Sequence, residues 1–309
     1  MNKKNVLTVK NLNKTYQKKG SNPVTAIENL NLSVQQGEIF GLLGPNGAGK
    51  TTFINILSGS VIKTSGFVEV WGFNLDKNPR QVRASVGIVA QDVNLDPYFT
   101  QDSLLDRQAG RYGIKKKDRI TSKILNLVSL EKQAKSYARS LSGGMKRRLM
   151  VAKSLVHQPP IIILDEPTAG VDVELRQNLW KNVKTLNQEG VTIILTTHYL
   201  EEAEKMCDRI GILNKGNLVA LDTTQKLLEK IQIKKISIKV NNRVNINENK
   251  FKTLKIVSST NDEINLSYDK NELKIDQIIK LIEENGARIL DLSTDDGDLE
   301  DVFLSLTKS

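Results

Sequence analysis

The sequence predicts an α/β fold, a mostly parallel sheet with helices on its faces, followed by a small α+β domain. Three observations carry this expectation. Short β-branched runs alternate with long helical stretches, a glycine-rich loop sits between an apolar strand and a helix, and closely spaced strands take over beyond residue 230.

The elements follow in order. The start, MNKKNVLTVKNL, is charged and then strand-like. Leu30, Leu32 and Val34 alternate with polar residues before a turn at Gln35-Gln36-Gly37, and Glu38 to Leu43 follows as an apolar strand. Phe67 to Trp71, Val86 to Ala90, Ile161 to Asp165 and Val191 to Thr197 are further strand-like runs, and Val173 to Gln188 is helical in pattern. Such apolar runs between helices are what a sheet covered on both faces requires. Residues 92–158 lack strong strand signals and read as a helical insertion. Asp222-Thr223-Thr224 can cap a short helix ending near Lys230. The expected domains are therefore 1–230 and 231–309. The second holds a strand at Ile236 to Val240 and a hairpin of Leu254 to Ser259 with Ile264 to Tyr268. A helix near Glu272 to Asn285, a strand at Arg288 to Leu292 and an amphipathic piece at Leu299 to Leu306 complete it.

Bulk properties narrow the class. A chain of 309 residues is long enough for two domains. Its apolar runs are far shorter than the about 20 residues of a membrane span, and the start lacks the apolar stretch of a secretion signal. Cytoplasmic residence is expected. The single cysteine, Cys207, excludes an internal disulfide and fits a reducing compartment. The net charge is +10, and residues 101–155 alone carry 14 basic against 4 acidic residues. That stretch is either a solvated helical surface or a face that meets anionic lipid, an acidic partner or nucleic acid.

Gly44-Pro45-Asn46-Gly47-Ala48-Gly49-Lys50-Thr51 fits G-x-x-x-x-G-K-[ST], after an apolar strand and before the helical Thr52 to Leu57. The glycines let backbone N–H groups curl around phosphates, and the helix start adds partial positive charge. Lys50 is expected to reach the β- and γ-phosphates and the Thr51 hydroxyl to bind Mg²⁺. Ile161-Ile162-Ile163-Leu164-Asp165-Glu166 supplies a second metal group in Asp165, and Glu166 is placed to orient the attacking water. His198 follows the strand Val191 to Leu195, where it could donate to the γ-phosphate, and Gln91 also ends a strand. His157 reads as structural. Leu141-Ser142-Gly143-Gly144 opens a second glycine-rich helix start that no strand feeds.

Tyr16, GPNGAGKTT, Gln91, LSGGM, LDEP, Asp172 and His198 occur in one order, and this resembles the ATP-binding subunit of an ABC transporter over about residues 4 to 230. The resemblance implies a P-loop ATPase of ABC type with a helical subdomain, using ATP and Mg²⁺. It implies that Ser142, Gly143 and Gly144 of one copy close over the γ-phosphate held by Lys50 of a second copy, head to tail. It further implies that Tyr16 stacks on adenine, that Gln91 touches Mg²⁺ and senses a membrane subunit, and that Asp172 communicates across the dimer. Met145 stands where many members have glutamine, and Ala169 where many have serine.

LSGGMKRRL, DEPTAGVD and DLEDVFLSLT are similar to the drug and polysaccharide exporter (ABC-2 type) branch. That branch works through a separate membrane-spanning permease subunit, which implies a peripheral position on the inner face of the cytoplasmic membrane. The competing expectation is a non-transport ABC ATPase acting on nucleic acid or ribosomes. One nucleotide domain and no long coiled-coil insertion before LSGG weigh against it.

Overall fold

Amide groups at the ends of four parallel strands have to find partners outside the sheet, and that edge is where this fold places its chemistry. The computed structural model describes residues 4–17, 20, 22–168, 173–244, 253–295 and 297–307. The chain divides into two units, Met1–Thr223 and Thr224–Ser309. The sequence reading put the boundary seven residues later; the short helix Thr224–Glu229 groups with the second unit.

The first unit begins with long antiparallel strands β1 (Asn5–Tyr16) and β2 (Val24–Gln35), then β3 (Ile39–Leu43) and α1 (Lys50–Leu57). β4 (Ser65–Val70) and β5 (Phe73–Asn74) form a tight hairpin in which Trp71 and Gly72 both take positive φ. That turn ends the strand one residue before the expected Trp71. Next come α2 (Pro79–Ala84), β6 (Val86–Val89), α3 (Gln101–Arg111), α4 (Thr121–Leu127) and α5 (Gly143–Leu155). β7 (Ile161–Asp165), α6 (Val173–Gln188), β8 (Thr192–Thr197), α7 (Leu200–Met206), β9 (Arg209–Asn214) and β10 (Asn217–Thr223) complete the unit.

Two sheets result, β2-β1-β4-β5 and β10-β9-β3-β8-β7-β6. β9, β3, β8, β7 and β6 run parallel, as the unbroken burial of Ile39–Leu43, Ile161–Asp165 and Thr192–Thr197 demands. α1 is packed between the two sheets through Phe53, Ile56 and Leu57, in one core with Leu7, Leu30, Phe40, Val68 and Ile163. The insertion contains α3, α4 and α5 with short 3₁₀ turns. α5 lies so close to β6 that a Cβ on Gly87 would overlap the Ser154 carbonyl.

The β9–β10 hairpin was not anticipated. Its signal is Asn214-Lys215-Gly216-Asn217, whose two central residues both take positive φ. The sheet order puts β3, β8, β7 and β6 side by side, with Leu43 opposite Thr197, Asp165 opposite Thr196 and Val89 opposite Leu164. Their carboxyl ends therefore finish together along one edge.

The second unit comprises α8 (Thr224–Glu229), β11 (Ile233–Val240), β12 (Lys255–Ser259), β13 (Glu263–Asp269), α9 (Ile275–Glu284), β14 (Ile289–Asp295) and α10 (Leu299–Thr307). Its sheet, β12-β13-β11-β14, is antiparallel. α9 buries Ile278, Leu281 and Ile282 in a core with Ile236, Ile238, Leu266 and Tyr268. No helix among the described residues of either unit is long and apolar enough to cross a membrane.

Candidate functional site

The phosphate loop, residues 44–49, leaves β3 and enters α1. Gly49 has φ +107, and a Cβ there would meet the Ala26 carbonyl at 2.5 Å, so only glycine fits. Lys50 is buried in the first turn of α1 and its Nζ donates to the carbonyls of Gly44 (2.6 Å) and Pro45 (3.3 Å). Thr51 is exposed beside it and Thr52 half-buried. Burial lowers the Lys50 pKa, opposed by the charges of Glu166 and Asp165.

Glu166 follows β7 and gathers the site. Its Oε1 lies 3.8 Å from Lys50 Nζ, and its Oε2 accepts from Gln91 Nε2 at 3.1 Å and lies 3.2 Å from His198 Nδ1. Its φ is +45°, in the left-handed region, a conformation that costs a non-glycine residue about 1 kcal/mol or more. Strain of this kind persists where the surroundings over-determine it, and here Glu166 N donates to both the carbonyl and Oγ1 of Thr196. The four strand ends thus bring together Lys50 (β3), His198 (β8), Glu166 (β7) and Gln91 (β6).

Asp165 is the last residue of β7. Its Oδ1 accepts the Thr196 hydroxyl at 2.6 Å. Burial raises its pKa, and the neighbouring Glu166 adds to the rise, against the hydrogen bond and Lys50. Among the described residues no three His, Cys, Asp or Glu cluster to hold a metal alone. The Thr51 hydroxyl, the Asp165 carboxylate and the Gln91 amide oxygen are hard donors. They fit Mg²⁺, an oxygen-seeking ion held by one or two carboxylates that completes its octahedral shell with phosphate and water.

The remaining predicted residues fall elsewhere. Tyr16 ends β1, on the antiparallel sheet, 40% exposed, with Lys14 Nζ 4.6 Å from its ring centroid. Ser142 caps α5, its Oγ accepting from Met145 N, and Ser142 and Gly143 are exposed. Among the described residues no hydrogen bond or ion pair joins Ser142, Gly143 or Gly144 to Lys50 or Glu166. Asp172 and Ala169 lie outside the described residues. His157 stacks on Tyr112 with ring centroids 3.9 Å apart and bonds the Val86 carbonyl through Nε2, apart from the catalytic edge.

Residues that the sequence reading passed over also shape the site. Thr196 holds both acids, and its place opposite Asp165 could be found only from strand pairing. Buried Glu202 on α7 accepts Thr168 Oγ1 at 2.7 Å and pairs with Arg176 at 3.2 Å. Arg147, in the basic run of α5, turns inward to the carbonyls of Ala90 and Gln91. Other members of the basic stretch 101–155 also bond within the chain, Lys135 at the surface. Arg148 bonds the carbonyls of Val128 and Ser129, Arg119 pairs with Asp106, and Lys135 pairs with Asp102.

A phosphate loop, an acid pair and a histidine aligned on one sheet edge, with a second glycine-rich helix start capped by Ser142, define a nucleotide-hydrolysing cassette. The ABC transporter family model matches residues 27–169. The chain is 33% identical to the linearmycin resistance ATP-binding protein LnrL of Bacillus subtilis, over 98% of both chains. It is 40% identical to the Nod factor export ATP-binding protein I of Cupriavidus metallidurans, over 72% of this chain and 73% of that one. A dimeric ATP-binding cassette solved in a post-hydrolysis state with ADP and Pi superposes with a TM-score of 0.63 at 27% identity, covering 71% of this chain and 98% of that one.

The chain belongs to the ABC transporter family, as one of its ATP-binding subunits. It is an ATPase of the exporter type within that family.

Proposed function

We propose that this ATPase powers export through a separate membrane-spanning permease, as a homodimer that clasps two ATP molecules head to tail. The observation that carries the reading is the division of labour within one chain. Lys50, Glu166, Gln91 and His198 converge on one edge, whereas Ser142 and Gly143 are exposed at a capped helix start, ahead of the buried Gly144, and among the described residues none of the three has a partner in that cluster. A helix start of this kind attracts anionic oxygen. A second copy offers it the γ-phosphate held by Lys50.

In this reading Lys50 and the loop amides of Gly44 to Gly49 hold the phosphates, and Thr51, Asp165 and Gln91 hold Mg²⁺, which neutralises phosphate charge when bound. Glu166 takes the water proton, and His198 and Gln91 fix the carboxylate that does so. Closing on ATP and reopening after hydrolysis requires contacts that differ between the two states, and the γ-phosphate supplies them. Residues 92–158 form the permease docking surface, next to Gln91, and place the chain on the inner face of the membrane. Residues 1–223 serve as the nucleotide domain and 224–309 as an accessory domain.

Glu166→Gln tests this. The amide keeps the size of the side chain and cannot accept the water proton. Turnover should fall at least about 100-fold, and size-exclusion chromatography should show a dimer that forms with ATP and is absent without it. Full-rate turnover in that variant, or a chain that remains monomeric with ATP trapped, would overturn the reading.

A further inference from the structure

Arg147 is 6% exposed, although it stands in a run of three basic residues. Its Nη1 donates to the carbonyls of Ala90 (3.0 Å) and Gln91 (2.7 Å), and its Nη2 lies 3.5 Å from the Glu166 carbonyl. The Gln91 side chain in turn donates to Glu166 Oε2. Arg147, Gln91 and Glu166 therefore form a closed ring of contacts, anchored on α5, on the end of β6 and on the end of β7. α5 is the helix whose amino end carries Ser142, Gly143 and Gly144.

We propose that Arg147 is a positioning residue that couples the two ATP sites of the dimer, by tying the helix that senses the partner's γ-phosphate to the Gln91–Glu166 pair of its own site. The inference rests on the head-to-tail reading above. Its physical basis is stiffness and geometry. Ser142 and Arg147 are five residues apart, about 7.5 Å along a helix, too short a length to bend appreciably. A shift of the helix start toward a phosphate therefore moves the guanidinium.

The guanidinium grips main-chain carbonyls through a rigid planar fork, so its motion is imposed on the backbone that carries Gln91 and Glu166. Close packing of Gly87 against Ser154 holds α5 to β6 two turns further on, so helix and strand end shift together. Arg148, next in sequence, bonds only within the helical insertion and serves no such link. Lysine can replace the charge of Arg147 but not the fork, whose Nη1 holds the carbonyls at the end of β6 while its Nη2 faces the Glu166 carbonyl at the end of β7.

The test compares full-length wild type, Arg147→Lys and Arg147→Met by ATPase rate against ATP concentration, with affinity for a fluorescent ATP analogue measured in parallel. Wild type should hydrolyse ATP cooperatively. Arg147→Met should lose cooperativity, its Hill coefficient falling to about 1, and lose kcat by about 30-fold, with analogue affinity within about twofold of wild type. Arg147→Lys should recover part of both. Arg147→Lys keeps a buried cation, so it decides the matter if Arg147→Met does not fold. Variants that retain wild-type cooperativity and kcat overturn the coupling alone. So does parallel loss of kcat and analogue affinity, the pattern of a merely structural residue. A wild type that hydrolyses ATP without cooperativity and stays monomeric overturns the clasp, and the coupling with it.

Discussion

The Lys50 ammonium lies 3.8 Å from Glu166 Oε1, so the cation of the glycine-rich loop and the proposed base are paired across the strand ends. On the proposed reading an incoming γ-phosphate would compete with Glu166 and with the Gly44 and Pro45 carbonyls for Lys50. Capture of Lys50 by phosphate would then release the carboxylate toward the attacking water, so that binding itself arms the proposed base.

Lys50→Ala removes a charge-assisted contact to phosphate worth about 1.5–3 kcal/mol. ATP affinity should fall by about 10- to 100-fold in a fluorescence titration. Unchanged affinity would remove Lys50 from the phosphate site.

Ser142 is exposed at the helix start, so a bulky residue there should be tolerated by the monomer and should block the proposed approach of a second copy. Ser142→Arg should leave ATP binding to the monomer within about twofold and lower hydrolysis at least about 100-fold. Light scattering should show that ATP no longer drives dimerisation. Full-speed hydrolysis in this variant contradicts the clasp.

Asp165 has its pKa raised by burial, reinforced by Glu166. The folded chain thus holds the proton more tightly than the unfolded chain. Ionised Asp165 costs stability, and the cost grows as pH rises from about 4 through the raised pKa. Asp165→Asn keeps an acceptor for Thr196 and loses the charge. In magnesium-free buffer at pH 8 it should be more stable than wild type by about 1 kcal/mol, read by denaturant melts, with no ATPase activity. The gain should vanish as pH approaches 4. A variant less stable than wild type at pH 8 would show that the charge is not a burden.

Arg147, Arg148 and Arg119 are turned to partners within the fold, whereas the adjacent Lys115, Lys116 and Lys117 form an exposed basic turn. Near an anionic leaflet each contributes about 1 kcal/mol. Replacing all three with glutamine should reduce binding of the chain to phosphatidylserine vesicles at least about tenfold at low salt, by flotation. Equal partition would assign that turn to solvent.

Much of this molecule was legible in the chain because its chemistry is local. Gly44 to Thr51 must sit between a strand and a helix, and the apolar run before Asp165 can only be a covered strand. The α/β class, the helical insertion and the residues of the phosphate loop follow from such short-range rules. The β9–β10 hairpin was legible too, in Asn214 to Asn217, and was overlooked. What the tertiary structure alone decided is which strand ends lie together. Thr196 reaches Asp165 from 31 residues away and Glu166 from 30, Gln91 reaches Glu166 from 75, and Arg147 turns from an apparently basic surface into the interior. The reason is physical. Periodicity sets which face of an element is buried, but strand order and register set which neighbour it meets, and those depend on long-range packing that no local stretch of sequence encodes.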